Sequence, residues 1–299
     1  MERLDYSDNE IKRASWPLPQ NDKIESKIPT KSMDFKGNRY YYNRKEKMPD
    51  KRDYIMSVTT WLGALSKGIG YDMWLGNSKS YKDAMIYANE RAMIGTMVHA
   101  MCMYLVWGKQ VDTKYGFYDT DDNRIKSVPD EAKLRLMAFI DFVDEYKPIP
   151  IATELSLYNN ERFPEDNEIA YPFAGTADQI MMIDGKVWMV DIKTGREWPK
   201  EQQLQLTAYK ILYDALYGDI TGNIDVLACL YLTSRGKYKI KKYKYKPEAW
   251  WDLIEIGKYH FSDMRDKLPV VKEKEELPTI FTLKEKGEED GNETTSTNS

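Results

Sequence analysis

The chain has 299 residues and a formal net charge of −4 at pH 7, and 42% of its residues are hydrophobic, 31% charged and 13% aromatic. These values predict one large soluble domain with appendages, and the two distant cysteines Cys102 and Cys229 exclude a four-cysteine zinc or iron–sulfur site. No apolar run approaches the roughly 20 residues of a membrane span, and the first residues lack a signal-peptide pattern, so a cytoplasmic protein is expected.

Residues 1–30 predict an extended arm, because they mix charges with three prolines and show no sustained periodicity. Residues 35–42 then predict a hairpin in which basic side chains are interleaved with tyrosines. Such a surface suits the tracking of a nucleic-acid backbone and the stacking of bases. A solvated hairpin whose tyrosines pack on the body is the alternative interpretation.

Two short helices are predicted next. The first follows Ser57 or Thr59, either of which can cap its N-terminus, and the second is an amphipathic segment around residues 71–75. The chain has no Gly-Lys-Ser/Thr tripeptide after a strand, so a motor of the P-loop type is excluded.

The longest helical pattern covers residues 81–107. It is interrupted only at Gly95, and Gly108 provides a stop signal. His99 lies one turn after Gly95 on the same face, where the missing side chain allows another chain or a substrate to approach the imidazole. Taken alone, a histidine on an apolar helix is more often a core residue.

Residues 111–127 predict a surface loop, residues 129–147 a helix, and residues 149–158 a strand that carries Glu154. The following loop leads to the pair of apolar runs on which the functional prediction depends.

These two apolar runs meet at Asp184-Gly185, which is typical of two-residue hairpin turns because both positions favour positive φ. With this dipeptide in the turn, Asp178 comes to lie opposite Asp191. Their Cβ atoms would be roughly 5 Å apart, and like charges at that distance destabilise a sheet unless a cation binds between them. Lys193 shares the face of Asp191 because side chains alternate along a strand. The hairpin therefore predicts a divalent-metal site.

A helix is predicted from Pro199 to about Tyr217, with Gln205 and Tyr209 on one stripe. Further strands are predicted at residues 224–232 and 237–246, and the last helix at residues 247–267. The order of elements predicts an α/β domain in which helices flank a small mixed central sheet, with a helical elaboration on its N-terminal side. Its predicted bounds are residues 31–268, with a core at about 85–265.

Basic residues are concentrated in the first hairpin and in the strand at residues 237–246, which holds six lysines. Lysines on an edge strand also prevent aggregation, so this interpretation stays open. Residues 269–299 predict an acidic, disordered tail that accounts for the net negative charge, which leaves a balanced body able to carry basic surfaces. The candidate nucleic-acid contacts are Lys36, Arg39, Arg44, Lys45, Lys237, Lys239, Lys241 and Lys242.

Asp178, the run Asp191-Ile192-Lys193 and the downstream Gln205 and Tyr209 together resemble the Asp…(Asp/Glu)-x-Lys, restriction-endonuclease-like nuclease superfamily. The closer similarity is to its RecB-like exonuclease branch, which includes phage and mitochondrial genome-maintenance exonucleases. That branch also has a Gly-Thr-x-x-His signature on an upstream helix and a glutamate on the first core strand. In this chain Gly95-Thr96-Met97-Val98-His99 and Glu154 occur in the expected order. The resemblance covers about residues 57–245.

The resemblance implies a restriction-endonuclease-like nuclease core and a metal-dependent DNA exonuclease that acts in DNA recombination, repair or replication. It implies one or two Mg²⁺ or Mn²⁺ ions, which suit carboxylate, carbonyl and imidazole ligands. The implied metal ligands are His99, Asp178, Asp191 and the main-chain carbonyl of Ile192.

The resemblance further implies that Glu154 orients the metal, its waters or the DNA, and that Gln205 and Tyr209 contact the substrate or brace the site. Lys193 would position or deprotonate the attacking water. Two neighbouring carboxylates raise the pKa of an ammonium group while a bound cation opposes them, so we expect Lys193 to act first as an electrostatic anchor.

The expected partners are single- or double-stranded DNA and a recombination, helicase or single-strand-binding protein, in a bacterial or phage-infected host cell. No membrane partner is expected, and the oligomeric state stays open. A structure-selective DNA endonuclease and a non-catalytic DNA-binding subunit of a repair or packaging complex remain alternatives, and RNA is a weaker candidate substrate.

Overall fold

The computed structural model describes residues 30–35, 37–43, 54–65, 69–119, 124–158 and 172–261, together with Ile24 and Ser26. The predicted tail, the predicted arm apart from those two residues and Thr30, and the candidate DNA contacts Lys36, Arg44 and Lys45 lie outside the described residues. None of the helices in this part of the chain has the length and hydrophobicity that a membrane crossing requires.

The strands are β1 (Thr30–Phe35), β2 (Asn38–Asn43), β3 (Ile55–Met56), β4 (Phe117–Asp119), β5 (Arg124–Lys126), β6 (Ile149–Tyr158), β7 (Ala174–Ile183), β8 (Lys186–Lys193), β9 (Val226–Leu232) and β10 (Tyr238–Tyr243). The α-helices are α1 (Val58–Leu62), α2 (Ile69–Gly76), α3 (Tyr81–Val106), α4 (Asp130–Tyr146), α5 (Pro199–Thr221) and α6 (Pro247–Phe261).

A five-stranded mixed sheet lies at the centre of the described chain, in the order β10-β9-β8-β7-β6. β8 and β9 are parallel and the other neighbours are antiparallel. Because parallel strands need a crossover connection, α5 links β8 to β9. The predicted α/β fold class, a mixed sheet flanked by helices, is confirmed, and a smaller antiparallel sheet of β1, β2 and β3 stands beside it.

Alternation along β8 divides its side chains between two hydrophobic layers. Trp188, Val190 and Ile192 pack in the layer formed with α3 and α4, whereas Met189 packs in the layer formed with α1, α5 and α6. Full burial of each such side chain contributes roughly 1.5–3 kcal/mol. On the second face the next position after Met189 is Asp191, so the apolar layer gives way to a carboxylate at the carboxyl end of the strand.

The predicted hairpin between β7 and β8 is confirmed. Asp184 and Gly185 have φ angles of 49° and 72°, as an Asp-Gly two-residue turn requires. Ile183 pairs with Lys186 across the turn. The register fixed at this end determines which face every later residue of both strands occupies.

The predicted loop at residues 111–127 contains more structure than its composition indicates. A 3₁₀ turn at Thr113–Tyr115 precedes β4, and β4 pairs with β5 in a two-stranded hairpin. Gly116 enters β4 with a φ of 83°, and the buried Phe117 anchors the hairpin in the layer below α3 and α4. Burial of one aromatic side chain therefore orders a segment whose polar residues predict a loop.

The helix predictions differ from the structure in detail. α3 passes through Gly95 without a break, and Gly108 follows its end with a φ of 71°, as the predicted stop requires. Ser57, rather than Thr59, caps α1, because its hydroxyl accepts the N–H of Thr60 at 3.0 Å. The predicted strand at residues 224–232 begins two residues later, at Val226.

Candidate metal centre

The central sheet brings three carboxylates and a thiol into one row. The pairs on either side place Glu154 of β6 opposite Asp178 of β7. The register of β7 and β8, continued by one residue, places Asp178 opposite Asp191. Parallel pairing then places Asp191 opposite Cys229 of β9. The row crosses four strands at the end of the sheet where β8 leads into α5.

The ladder between β7 and β8 stops at this row, whereas the ladders of β6 with β7 and of β8 with β9 continue past it. The pairing of β7 with β8 ends at Gln179 and Val190, one residue short of the two predicted aspartates. The carboxylate of Asp178 instead accepts the main-chain N–H of Ile192 at 2.8 Å. This hydrogen bond fixes the orientation of Asp178 and satisfies an N–H that lies beyond the end of the ladder.

Glu154 has an unusual backbone conformation, with a φ of 48°. Such a left-handed conformation is rare for a glutamate and costs roughly 1–2 kcal/mol. The strand register on either side of Glu154 is regular, so this conformation is confined to the residue that faces Asp178. Strain of this kind is concentrated at functional sites, where the surrounding structure holds it in place.

His99 reaches the row from α3. Its Nδ1 atom lies 3.4 Å from Oδ2 of Asp178, and one ligand atom from each of His99, Glu154 and Asp178 lies within 4.8 Å of the other two. α3 packs closely against the end of β8 at Gly95, where a Cβ atom would lie 3.2 Å from the hydroxyl of Thr194. The glycine thus favours this close packing one turn before His99.

Asp191 and Lys193 begin a chain of polar contacts on the other side of the row. Nζ of Lys193 lies 2.7 Å from Oδ2 of Asp191 and donates to Oε1 of Gln205 at 3.1 Å. Nε2 of Gln205 donates in turn to the hydroxyl of Tyr209 at 3.3 Å. The predicted residues of β8 and α5 thus form one connected network.

Gly175 and Cys229 also belong to the site, although the sequence predicts no role in it for either residue. A Cβ atom on Gly175 would lie 2.4 Å from the ring of Tyr209, so only glycine leaves room for the buried tyrosine. The thiol of Cys229 donates to Oδ2 of Asp191 at 3.6 Å. Gly175 stands three residues before Asp178 and could have been suspected from that spacing, whereas the role of Cys229 depends on a strand register that its local sequence does not specify.

The carboxylates and His99 change one another's pKa. Partial burial disfavours a charged imidazole, but Asp178 outweighs it with help from Glu154, and the pKa of His99 rises to about 9. Burial also disfavours a charged Asp178, but His99 and the N–H of Ile192 hold its pKa below the usual range. Burial is the largest cause that raises the pKa of Glu154, and the negative charge of Asp178 adds to it, so this pKa rises to about 7.

The second half of the site is the ion pair of Lys193 and Asp191. Burial lowers the pKa of Lys193, but the carboxylates of Asp191 and Asp178 more than compensate and raise it well above the usual range. Burial raises the pKa of Asp191, and Lys193 opposes this rise. Near neutral pH, Lys193 therefore carries a proton that it does not release readily, which favours an electrostatic role over that of a base.

A cleft of about 1000 Å³ opens over the carboxylates of the row. Its walls come from several elements of the domain, and Lys193, Gln205 and Tyr209 lie on the side of α5. Arg39 of β2 lines the same cleft, where its guanidinium is paired with Asp34 at 3.2 Å. Among the predicted DNA contacts, Arg39 is thus brought to the mouth of the site.

No protein-family model and no curated protein matches the sequence. The chain has a structural similarity to SSO0001, whose crystal structure is known. The identity is 16%, the match covers 55% of this chain and 84% of that chain, and the TM-score is 0.28. A similarity of this extent carries no argument about fold or function.

The lysines of the last sheet strand divide between two faces. Lys239 and Lys241 of β10 form ion pairs with Glu197, the latter at 3.0 Å. Lys242 lies on the other face, with Nζ 4.4 Å from the ring centroid of Trp188. Lys237 is exposed before the strand. The structure therefore does not gather the four predicted contacts on one surface.

The residues present suit a hard divalent cation. The group of His99, Glu154 and Asp178 offers two carboxylates and one imidazole, which fits Mg²⁺ and, because of the imidazole, favours Mn²⁺. The sequence assigns Asp191 and the Ile192 carbonyl to the ligands and gives Glu154 an orienting role. In the structure Glu154 joins the group, Asp191 pairs with Lys193, and the N–H of Ile192 contacts Asp178.

Proposed function

We propose that the protein is a metal-dependent deoxyribonuclease of exonuclease type, acting in DNA recombination, repair or replication. One observation carries the proposal: His99, Glu154 and Asp178 converge beside the Asp191–Lys193 ion pair at the floor of one open cleft. Carboxylates grouped with a fixed cation suit the hydrolysis of a phosphodiester, whose transition state gathers negative charge.

In this function His99, Glu154 and Asp178 would hold the divalent ion, and Asp191 lies opposite Asp178 on the neighbouring strand. The ion would act as a Lewis acid toward the phosphate and make water a better nucleophile at neutral pH. The water oxygen forms a bond to phosphorus, one ester bond to deoxyribose breaks, the leaving oxygen takes up a proton, and the attacking water releases one to solvent. Lys193, held protonated by Asp191, stabilises negative charge on the phosphate oxygens, and Gln205 and Tyr209 keep the lysine in place.

The first prediction concerns cleavage of end-labelled linear DNA, single- and double-stranded, with Mg²⁺, Mn²⁺ or a chelator. We expect the wild type to release nucleotides only with metal, and Asp178→Asn and Lys193→Ala each to lower the rate about 100-fold or more, since each removes a charge that acts on the transition state. Lys147→Ala, which changes an exposed lysine at the end of α4, is the control and keeps full activity.

Closed circular DNA in the same assay separates the alternatives. Cutting of the circle, which has no ends, would favour an endonuclease over an exonuclease. Binding of DNA without cleavage under every metal condition would favour the non-catalytic subunit. Full activity in both Asp178→Asn and Lys193→Ala, with unchanged thermal unfolding, would refute the assignment of the site.

A further inference from the structure

A second groove, of about 610 Å³, lies beside the candidate metal centre, between α2, α3 and the segment that follows β8. We call it the aromatic groove, and its aromatic lining consists of Tyr71, Trp74, Tyr87 and Trp198. The exposed fraction is 52% for Tyr87 and 38% for Trp198. Tyr71 and Trp74 are partly buried and contact each other, with ring centroids 5.5 Å apart, whereas Tyr87 and Trp198 present exposed apolar surface that a bound molecule would gain by covering.

The aromatic groove adjoins the cleft. Ala92 of α3 lines both spaces, and Thr194, which lines the groove, directly follows Lys193 of the cleft. On α3, Tyr87, Arg91, Gly95 and His99 recur every four residues, which places them along one slowly turning stripe. With a rise of 1.5 Å per residue, Arg91 is about 12 Å and Tyr87 about 18 Å from His99 along the helix axis.

The groove also carries positive charge. Arg91, Arg135 and Arg196 line it, against Glu131 as the acidic lining residue. Glu131 pairs with Arg91 and with Arg135, at 2.6 Å in each case, while Arg196 is exposed. The guanidinium of Arg91 stands 5.4 Å from the ring centroid of Tyr87. Guanidinium groups next to exposed aromatic rings provide a phosphate contact and a stacking surface side by side.

We propose that the aromatic groove binds unpaired nucleotides of single-stranded DNA whose neighbouring phosphates lie in the cleft. The bases of a duplex are stacked on one another and do not present their faces, so the exposed rings favour an unpaired strand. The proposal rests on the proposed nuclease function, because the metal centre supplies the reason for a DNA strand to enter the cleft. It adds a substrate class to that function: DNA with a single-stranded segment.

The test measures binding of a fluorescent oligothymidylate by anisotropy, in the presence of a chelator that prevents cleavage. Trp74→Ala and Tyr87→Ala are each expected to weaken binding about tenfold, which is typical of the loss of one base–aromatic contact. Trp74→Phe keeps a ring and is expected to retain most of the affinity. Tyr259→Ala changes a tyrosine that is 88% exposed on α6, outside the groove, and is expected to have no effect.

A second probe, an abasic oligonucleotide of the same length, separates stacking from a general change in the protein. It keeps the phosphates but has no bases, so the alanine variants and the wild type are expected to bind it equally. Equal weakening with both probes, or no weakening with either, overturns the proposal. The outcome is independent of catalysis: a wild type that never cleaves DNA refutes the nuclease, while the two binding probes still decide the role of the groove.

Discussion

The protonation of His99 links the candidate metal centre to the stability of the fold. Its pKa is about 9 in the folded protein, above the 6.5 of an unperturbed histidine, because the carboxylate of Asp178 outweighs the effect of burial. A raised folded-state pKa stabilises the protein fully below the unfolded pKa, and this stabilisation is lost as pH rises through the folded pKa. We therefore expect the Tm of the metal-free protein to fall between about pH 6.5 and 9 in thermal melts, and His99→Gln to flatten this decrease.

Glu154 adds a second decrease in Tm, at lower pH than that of His99. Its pKa of about 7 also exceeds the unfolded value, so it favours folding at low pH and loses that contribution between about pH 4.5 and 7. The interval above pH 7 therefore separates the contribution of His99 from that of Glu154. Because a metal ion displaces the proton of its histidine ligand, the increase in Tm caused by Mn²⁺ should grow with pH. A wild-type profile that stays flat from pH 7 to 9 contradicts the prediction.

Residue types and their spacing predict which residues form the site. They do not predict which of these residues group together as metal ligands. His99, Glu154, Asp178, Asp191 and Lys193 are all identified in the sequence, and the structure brings all five together. The placement of Glu154 opposite Asp178 follows from the strand register, but its positive φ is not encoded in a period-two pattern. Which carboxylate joins the histidine therefore depends on a local backbone conformation that the pattern does not specify.

At the scale of secondary-structure elements, the packing of α5 on β7 depends on one glycine. A Cβ atom on Gly175 would lie 2.4 Å from Cε1 of Tyr209, which is buried and cannot move away easily. Overpacking of this kind typically costs about 1–3 kcal/mol. We expect Gly175→Ala to lower the free energy of unfolding by that amount in urea denaturation. It should also slow DNA cleavage, because Tyr209 holds Gln205 and Gln205 holds Lys193.

Gly76→Ala provides the matched control, since a Cβ atom at Gly76 would meet no heavy atom within 4 Å. It should leave stability nearly unchanged. If Gly175→Ala behaves like Gly76→Ala in both stability and cleavage, the close fit of Tyr209 has no functional consequence.

Elements with strong local signals are predicted well. The Asp184-Gly185 turn, the long helix stopped at Gly108 and the helix opened by Pro199 all depend on residues with restricted or unusual backbone conformations. The short strands β4 and β5 are not predicted, because tertiary burial of Phe117, rather than local pattern, stabilises them. The parallel pairing of β8 with β9 likewise depends on the crossover formed by α5. The contact of Cys229 with Asp191 depends on this pairing.

At the scale of the whole molecule, the formal net charge of −4 opposes DNA binding, so any attraction must come from local basic surfaces. The central sheet aligns one such surface with the metal centre. Lys241 of β10 lies in register with Cys229 and, beyond it, with Asp191. Lys239 is aligned in the same way, through β9, with Lys193. Two strand spacings, about 10 Å, separate these lysines from the site.

Glu197 pairs with both lysines and reduces their effective charge, which leads to the last prediction. Each phosphate contact contributes about 0.9 to the slope of log K against log salt concentration for duplex DNA, and about 0.7 for a single strand. If DNA follows the line from β10 to the metal centre, the double variant Lys239→Ala, Lys241→Ala should lower that slope by about 1 to 2. Glu197→Gln should instead tighten binding at low salt, because it leaves both ammonium groups unpaired. Lys147→Ala, which removes one exposed lysine at the end of α4, serves as the control, and a slope that is the same in all four proteins excludes β10 from the DNA path.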